Sequence, residues 1–275
     1  MKVVLLGTGT PNCEADRMGS SLAVVHEERA VLVDCGPGVV RRMRQASVDE
    51  PAVDPVSVSM CFLTHLHSDH TAGLADLYLS PVVLGRQAPL VLYGPPGTDK
   101  LGSYLHSAYQ SDITERTHGL EPSLGAGYRL ESRDVEGGFI GHLMGMDVTA
   151  LPAEHGSWTS FGYRFEAGGS CVVVSGDTAP YEGIEDEYAG ADILVHEVYS
   201  DIGFAGRTQE WKAYHAACHT SASQLAAIAS VVRPKLLVLV HQLHWGVSDE
   251  ELVLEVKAGY DGEVVSGRDL DVFEV

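Results

Sequence analysis

The 275-residue chain has no apolar stretch near the roughly 18–20 residues that a bilayer-crossing helix requires, which excludes a helical membrane protein. Its opening MKVVLLGTG has a single basic residue and an apolar run too short for a secretory signal, so it reads as a first strand of a cytoplasmic protein. Cysteine is sparse and odd in number: Cys13, Cys35, Cys61, Cys171 and Cys218 are scattered, with no CxxC pair. That excludes a disulfide framework and a thiolate zinc site, and leaves small thiols in a reducing compartment. Basic residues are also few. Eighteen Lys and Arg stand against 38 Asp and Glu, a net charge of −20. A chain this acidic lacks the footprint of a protein that grips long nucleic acid, although screening over about 8 Å leaves room for a local positive patch. LGTGTP carries no third glycine and no Gly-Lys-Ser, so neither a dinucleotide fingerprint nor a P-loop is present.

What remains is ordinary globular chain, 45% hydrophobic and 20% charged. KVVLLG, SLAVVHE and AVLVDCG read as three consecutive antiparallel strands. PGVVRRMRQAS follows as a helix with Pro37 in its first turn. VSMCFLT is a buried strand, and HTAGLADLYLS is helical until Pro81 stops it. A helix over 98–110 takes Thr98 as its N-cap, and residues 114–145 read as loops and strand ends. The second half repeats this style. MDVTALPA, SFGYRFEA, CVVVSGD, ADILVHE and LLVLVH are strands; TSASQLAAIASVV, capped by Thr220 or Ser221, and SDEELVLEVKAGY are helices. Two strand-then-helix halves predict an α/β (α+β) fold, with two facing mixed sheets and helices outside, as one domain over residues 1–275.

FLTHLHSDHTAG, residues 62–73, sets His65, His67, Asp69 and His70 within six positions at the end of an apolar strand. Alternation sends His65 and His67 to the same side, and three imidazoles with a carboxylate suit a borderline divalent metal. So short a stretch cannot encircle two ions. Three further donors each follow an apolar strand: His155 after MDVTALPAE, Asp177 ending CVVVSGD and His241 ending LLVLVH.

THLHSDHTAG matches the HxHxDH motif of the metallo-β-lactamase superfamily, and LGTGTP, LVDCGPG, SGDT, ILVHEVYSD, HTSASQLA and VLVH follow in that family's order. The chain thus resembles the ribonuclease Z and arylsulfatase-like branch. The resemblance implies a four-layer αβ/βα sandwich and two divalent metal ions, Zn2+ foremost, with Mn2+ or Fe2+ as alternatives. It implies that His65, His67 and His155 hold one ion, that Asp69, His70 and His241 hold the other, and that Asp177 bridges them. Asp34 in LVDCGPG supports the histidines; His196 is placed beside it, with a plain core histidine as the competing reading. His219 in ACHTSAS is the general acid or phosphate clamp, Glu197 orients it, and Asp69 joins these two as catalytic. Homodimers are common among such relatives.

His155 and Asp177 are only 22 positions apart, and Asp177 and His196 only 19, so the long basic arm with which ribonuclease Z enzymes grip transfer RNA has no place. The expected substrate is therefore a small phosphodiester or sulfate ester, long nucleic acid being disfavoured. Trp158, Tyr199, Trp211 and Trp245 are candidates to wall its pocket, and Arg116 to meet an anionic oxygen. The alternatives are a ribonuclease Z-type endonuclease, a lactonase and a non-catalytic metal-stabilised scaffold. The remaining histidines, His215 included, are expected at the surface or satisfied.

Overall fold

A computed structural model describes residues 1–121 and 125–275. The chain begins with an antiparallel meander, β1 (Lys2–Gly7), β2 (Ser21–His26) and β3 (Arg29–Val33). Helix α1 (Val39–Ala46) leads to the short strand β4 (Met60–Phe62), and helices α2 (Ser68–Thr71) and α3 (Leu74–Val83) lead to β5 (Leu90–Gly94). Helices α4 (Thr98–Ala108) and α5 (Gln110–His118) precede β6 (Leu130–Asp134). Strands β3 to β6 are parallel neighbours.

The second sheet opens with the antiparallel run β7 (Gly138–Leu143), β8 (Met146–His155), β9 (Trp158–Ala167) and β10 (Ser170–Val174). Helix α6 (Ile184–Tyr188) leads to β11 (Ile193–Tyr199). Helices α7 (Asp201–Ala205), α8 (Gln209–Cys218) and α9 (Ala222–Val232) lead to β12 (Leu236–Leu243). Helix α10 (Asp249–Lys257) precedes β13 (Val264–Ser266), and β14 (Val272–Glu274) returns to pair with β1. Among the described residues each sheet has seven strands, in the orders β14-β1-β2-β3-β4-β5-β6 and β13-β12-β11-β10-β9-β8-β7.

Strand alternation explains the layers. In β1, Val3 and Leu5 face the other sheet while Val4 and Leu6 face helices, so an unbroken apolar run is buried on both sides. Between the sheets Phe62 stacks on Tyr93 with ring centres 5.1 Å apart and meets Tyr163 at 5.3 Å. Outside the first sheet Val39, Met43, Leu74 and Leu77 close a second core; outside the other, Leu225, Ile228, Leu252 and Val256 close a third. The expected two facing mixed sheets with helices outside are present.

Local expectations fared unevenly. Pro81 does not stop α3, which runs on to Val83. The carbonyl of Leu77, which loses its usual donor to the proline ring, accepts instead from Nη1 of the buried Arg86 at 2.9 Å, while Nη2 takes the Tyr78 carbonyl at 2.7 Å. Gly97, at φ 109°, caps α4 and Thr98 is its first residue; likewise Gly38 caps α1, so Pro37 lies before the helix. Ser221, not Thr220, caps α9, in a reciprocal box with Gln224. Residues 114–118 complete α5, and β6 and β7 take up about a third of the stretch read as loops and strand ends. The part of that stretch at 122–124 lies outside the described residues. Among the described residues no helix is long and apolar enough to cross a membrane.

Candidate metal centre

All seven donors singled out in the sequence meet where strands of both sheets end. His65, His67, Asp69 and His70 follow β4; His155 closes β8, Asp177 follows β10 and His241 lies in β12. Strand β4 stops at Phe62, three residues before His65, so ladder pairing does not aim these histidines. The segment is pinned from outside: the Phe161 N–H donates to the Thr64 carbonyl at 2.9 Å, and the Tyr163 hydroxyl to the Leu63 carbonyl at 2.7 Å.

The hydrogen bonds decide which ring nitrogens are bare. The Thr64 hydroxyl donates to Asp34 Oδ2, so from His65 Nδ1 it can only accept, and His65 Nε2 is left unprotonated. His155 Nδ1 donates to the Cys218 carbonyl, which leaves Nε2 bare. Both bare nitrogens point at His67 Nδ1, at 2.9 and 3.2 Å. A single proton on His67 can satisfy one of these contacts; the other sets lone pair against lone pair unless a cation lies between them. His70 repeats the pattern. Its Nδ1 donates to Asp34 Oδ2 at 2.7 Å, and its Nε2 is buried without a hydrogen-bond partner, 3.4 Å from Asp69 Oδ2 and 3.5 Å from Asp177 Oδ2. His241 Nε2 lies at the same two distances from the same two carboxylates. Asp177 Oδ2 is also 3.9 Å from His65 Nε2, between the two histidine groups. This donor set, imidazole and carboxylate without thiolate, fits two divalent cations with Asp177 between them.

The electrostatics agree. Burial penalises the charge of Asp177, yet His241 and His70 hold its carboxyl well below the usual range, and Asp69 is held low in the same way. Burial also opposes a charge on His70, but the Asp177 and Asp34 carboxylates outweigh it and raise the imidazole well above its ordinary value. His65 is driven well below by burial and the neighbouring His70, which outweigh the Asp177 charge. Asp34 and His241 adopt left-handed backbone, φ 61° and 44°, strained for residues with a side chain and sustained here by their surroundings.

Beside the cluster, His219 Nδ1 donates to Glu197 Oε1 at 3.0 Å, and the Thr178 N–H donates to the same oxygen. Burial and the Asp177 charge push Glu197 well above a normal carboxyl, and burial takes His219 down to about 4. His196, one residue earlier in β11, points to the opposite face. It packs against Tyr188, donates Nδ1 to the Glu197 carbonyl and touches none of the donors, so it is a core histidine and not a support of the centre.

A cavity of about 360 Å³ opens over His67, Asp69, His155, Asp177, His219 and His241. Trp211 and Trp245 line it as anticipated; Trp158 does not, and packs against His67 with ring centres 4.4 Å apart. Tyr199 does not line it; buried, it backs Trp245 and stacks on Phe204 at 4.8 Å. Arg116 is also absent from the lining, and its guanidinium is committed to Asp112 and Glu121. Sequence reasoning missed Asn12, Arg207, Tyr214 and His215, which do line the cavity. Three of these ride on or beside α8, a helix the sequence reading passed over. Thr208 before a Trp211, His215, Cys218 stripe at helical spacing was the available signal.

Comparison with known proteins agrees with this geometry. Residues 29–242 match the Beta-lactamase superfamily domain. A protein of Mycobacterium bovis (strain BCG / Pasteur 1173P2) named ribonuclease Z is 32% identical over 281 residues, covering all of this chain and 98% of that one. Among solved structures, the metallo-beta-lactamase fold protein YhfI from Bacillus subtilis has a TM-score of 0.74 at 22% identity, covering 100% of this chain and 99% of its own. Human tRNase Z, short form, has a TM-score of 0.70 at 25% identity with the same two coverages. That fold implies divalent metal ions, and the chain belongs to the beta-lactamase superfamily, on the branch that carries ribonuclease Z.

Proposed function

We propose that the chain is a dinuclear-metal phosphodiesterase of the ribonuclease Z type, with RNA as its substrate. The observation that carries this reading is the set of mutually facing ring nitrogens and carboxylates of His65, His67, His155, Asp69, His70, His241 and Asp177, beside the His219–Glu197 pair. The first three would hold one ion, the next three the other, and Asp177 would touch both. Zn2+ suits the donors best, and Mn2+ or Fe2+ are compatible. When bound, the ions supply charge stabilisation to a phosphate and lower the pKa of water.

The chain's own groups do the rest. Asp34 fixes His70 directly, and His65 through Thr64, in the tautomers that present Nε2. Glu197 holds Nδ1 of His219 and so turns Nε2 toward a substrate oxygen. With its pKa near 4 the ring is neutral in the free protein; an arriving anionic phosphate favours the imidazolium, which then delivers a proton to the leaving oxygen.

The short spacing between His155 and Asp177 does not argue against RNA. The mycobacterial relative named ribonuclease Z aligns over 98% of its own length with this whole chain, leaving it no room for a long arm either. A second reading, a small phosphodiester, is favoured by the −20 charge and the aromatic cavity wall. Sulfate esters find no support among these relatives. Five free cysteines, four of them buried, suit the reducing cytoplasm.

The test sets purified protein with added zinc or manganese against precursor transfer RNA, bis(p-nitrophenyl) phosphate and an aryl sulfate. Cleavage of the precursor at nanomolar enzyme, abolished by chelation, is the expected result. Turnover of the small diester with an intact precursor would select the second reading, and protein that takes up none of the added metal and leaves both phosphodiesters intact would overturn the enzyme.

A further inference from the structure

We propose that Arg207, Trp211, His215 and Trp245 form a nucleotide subsite, in which the aromatic wall takes a base and the Arg207 guanidinium takes the phosphate next to the scissile one. The substrate class rests on the phosphodiesterase reading above; the subsite itself rests on this wall of the cavity. Arg207, in the turn between α7 and α8, lies over two indoles, its Cζ 5.2 Å from the ring centre of Trp245 and 5.7 Å from that of Trp211. His215 stacks on Trp211 at 5.5 Å and 22°, and meets Trp245 at 4.5 Å. His215 is also 5.6 Å from His219, so the wall adjoins the proton-donating side of the centre.

The state of Arg207 is what singles out an anion. Among the described residues its side chain has neither a carboxylate nor a hydrogen-bond partner, and its Nε is buried and unmet. Arg17, Arg42 and Arg268, by contrast, each pair with Asp249 or Asp269. In a chain with 38 acidic and 18 basic residues, an unpaired guanidinium on the wall of a cavity is conspicuous. Stacking spends its faces and leaves the in-plane N–H groups as a fork for phosphate oxygens. A simple aryl leaving group would use only the rings. A polynucleotide offers a base for the rings and, one position along, a second phosphate for the fork.

The chain has three tryptophans, two lining the cavity and one against His67, so intrinsic fluorescence reads ligand binding without turnover. Zinc-loaded protein should bind adenosine 3′,5′-bisphosphate about tenfold tighter than adenosine 5′-monophosphate, a charge-assisted contact being the difference. Arg207→Ala should erase that preference and Arg207→Lys restore part of it, with the affinity for inorganic phosphate unchanged. Trp211→Leu should weaken both nucleotides, read by the two remaining indoles. A preference that survives Arg207→Ala, or an equal loss for inorganic phosphate, overturns the subsite. Hydrolysis of bis(p-nitrophenyl) phosphate is followed in parallel. A protein that shows the preference and its loss yet hydrolyses no phosphodiester keeps the subsite and sinks only the phosphodiesterase reading.

Discussion

One carboxylate oxygen, Asp34 Oδ2, receives both the Thr64 hydroxyl at 2.8 Å and His70 Nδ1 at 2.7 Å, and through these two contacts it sets the tautomer of a histidine in each of the two proposed ligand groups. Asp34→Asn replaces an acceptor with an amide that can be turned either way. It should weaken metal affinity by roughly 10–100-fold, as the loss of such supporting partners does. Titration against a chromophoric chelator reads the change; unchanged affinity would show that the tautomers are fixed by other means.

His219→Ala should leave bound metal unchanged while turnover of a phosphodiester falls by roughly two to four orders of magnitude, the range for a positioned acid. Metal analysis alongside kcat separates the roles. Loss of an ion with the imidazole would make His219 a ligand, a role its closeness to His155 and Asp177 permits.

Arg86 keeps α3 intact across Pro81. Arg86→Met preserves the apolar stem but abandons the buried carbonyls of Leu77 and Tyr78. Roughly 2–4 kcal/mol of stability should go, since each unmet buried acceptor costs about 1–3 kcal/mol. Urea denaturation gives the value, and a change within error would mean that water replaces the guanidinium.

Asp249 joins Arg17, Arg268 and His244 at distances of 2.8–3.1 Å. Burial works against its charge, but Arg17 first, with the Arg268 and His244 contacts, holds its pKa below the ordinary value. A carboxylate with a depressed folded pKa stabilises above its unfolded pKa, near 3.9, and that contribution fades as pH falls through the folded value. Asp249→Asn should therefore cost about 1–3 kcal/mol at pH 7, with the gap to wild type closing only below about pH 4. A gap already closed at pH 6 would locate the effect elsewhere.

The layered fold and the seven donors were legible because each rests on short-range signals: short unbroken apolar strands and polar residues at or near their ends. Residues whose roles depend on distant partners were not. Nothing near Pro81 announces that Arg86 will replace its missing N–H, and a proline inside a helix ordinarily ends it. Tyr199 and Trp245 look alike beside the motifs, yet only the fold turns one into the core and the other into the cavity. Arg207 looks like any surface arginine until two indoles 34 positions apart in sequence close over it.

Four donors hang from the first sheet and three from the second, so the centre straddles the seam between the two halves of the molecule. A cation gripped there would act as a rivet, a cross-link formed and undone by the concentration of free metal. At 1,000 times its dissociation constant, one such ion adds about 4 kcal/mol to the folded state. Resistance to heat and proteolysis should thus rise and fall with metal supply, and a metal-starved cell would lose the protein itself as well as its activity.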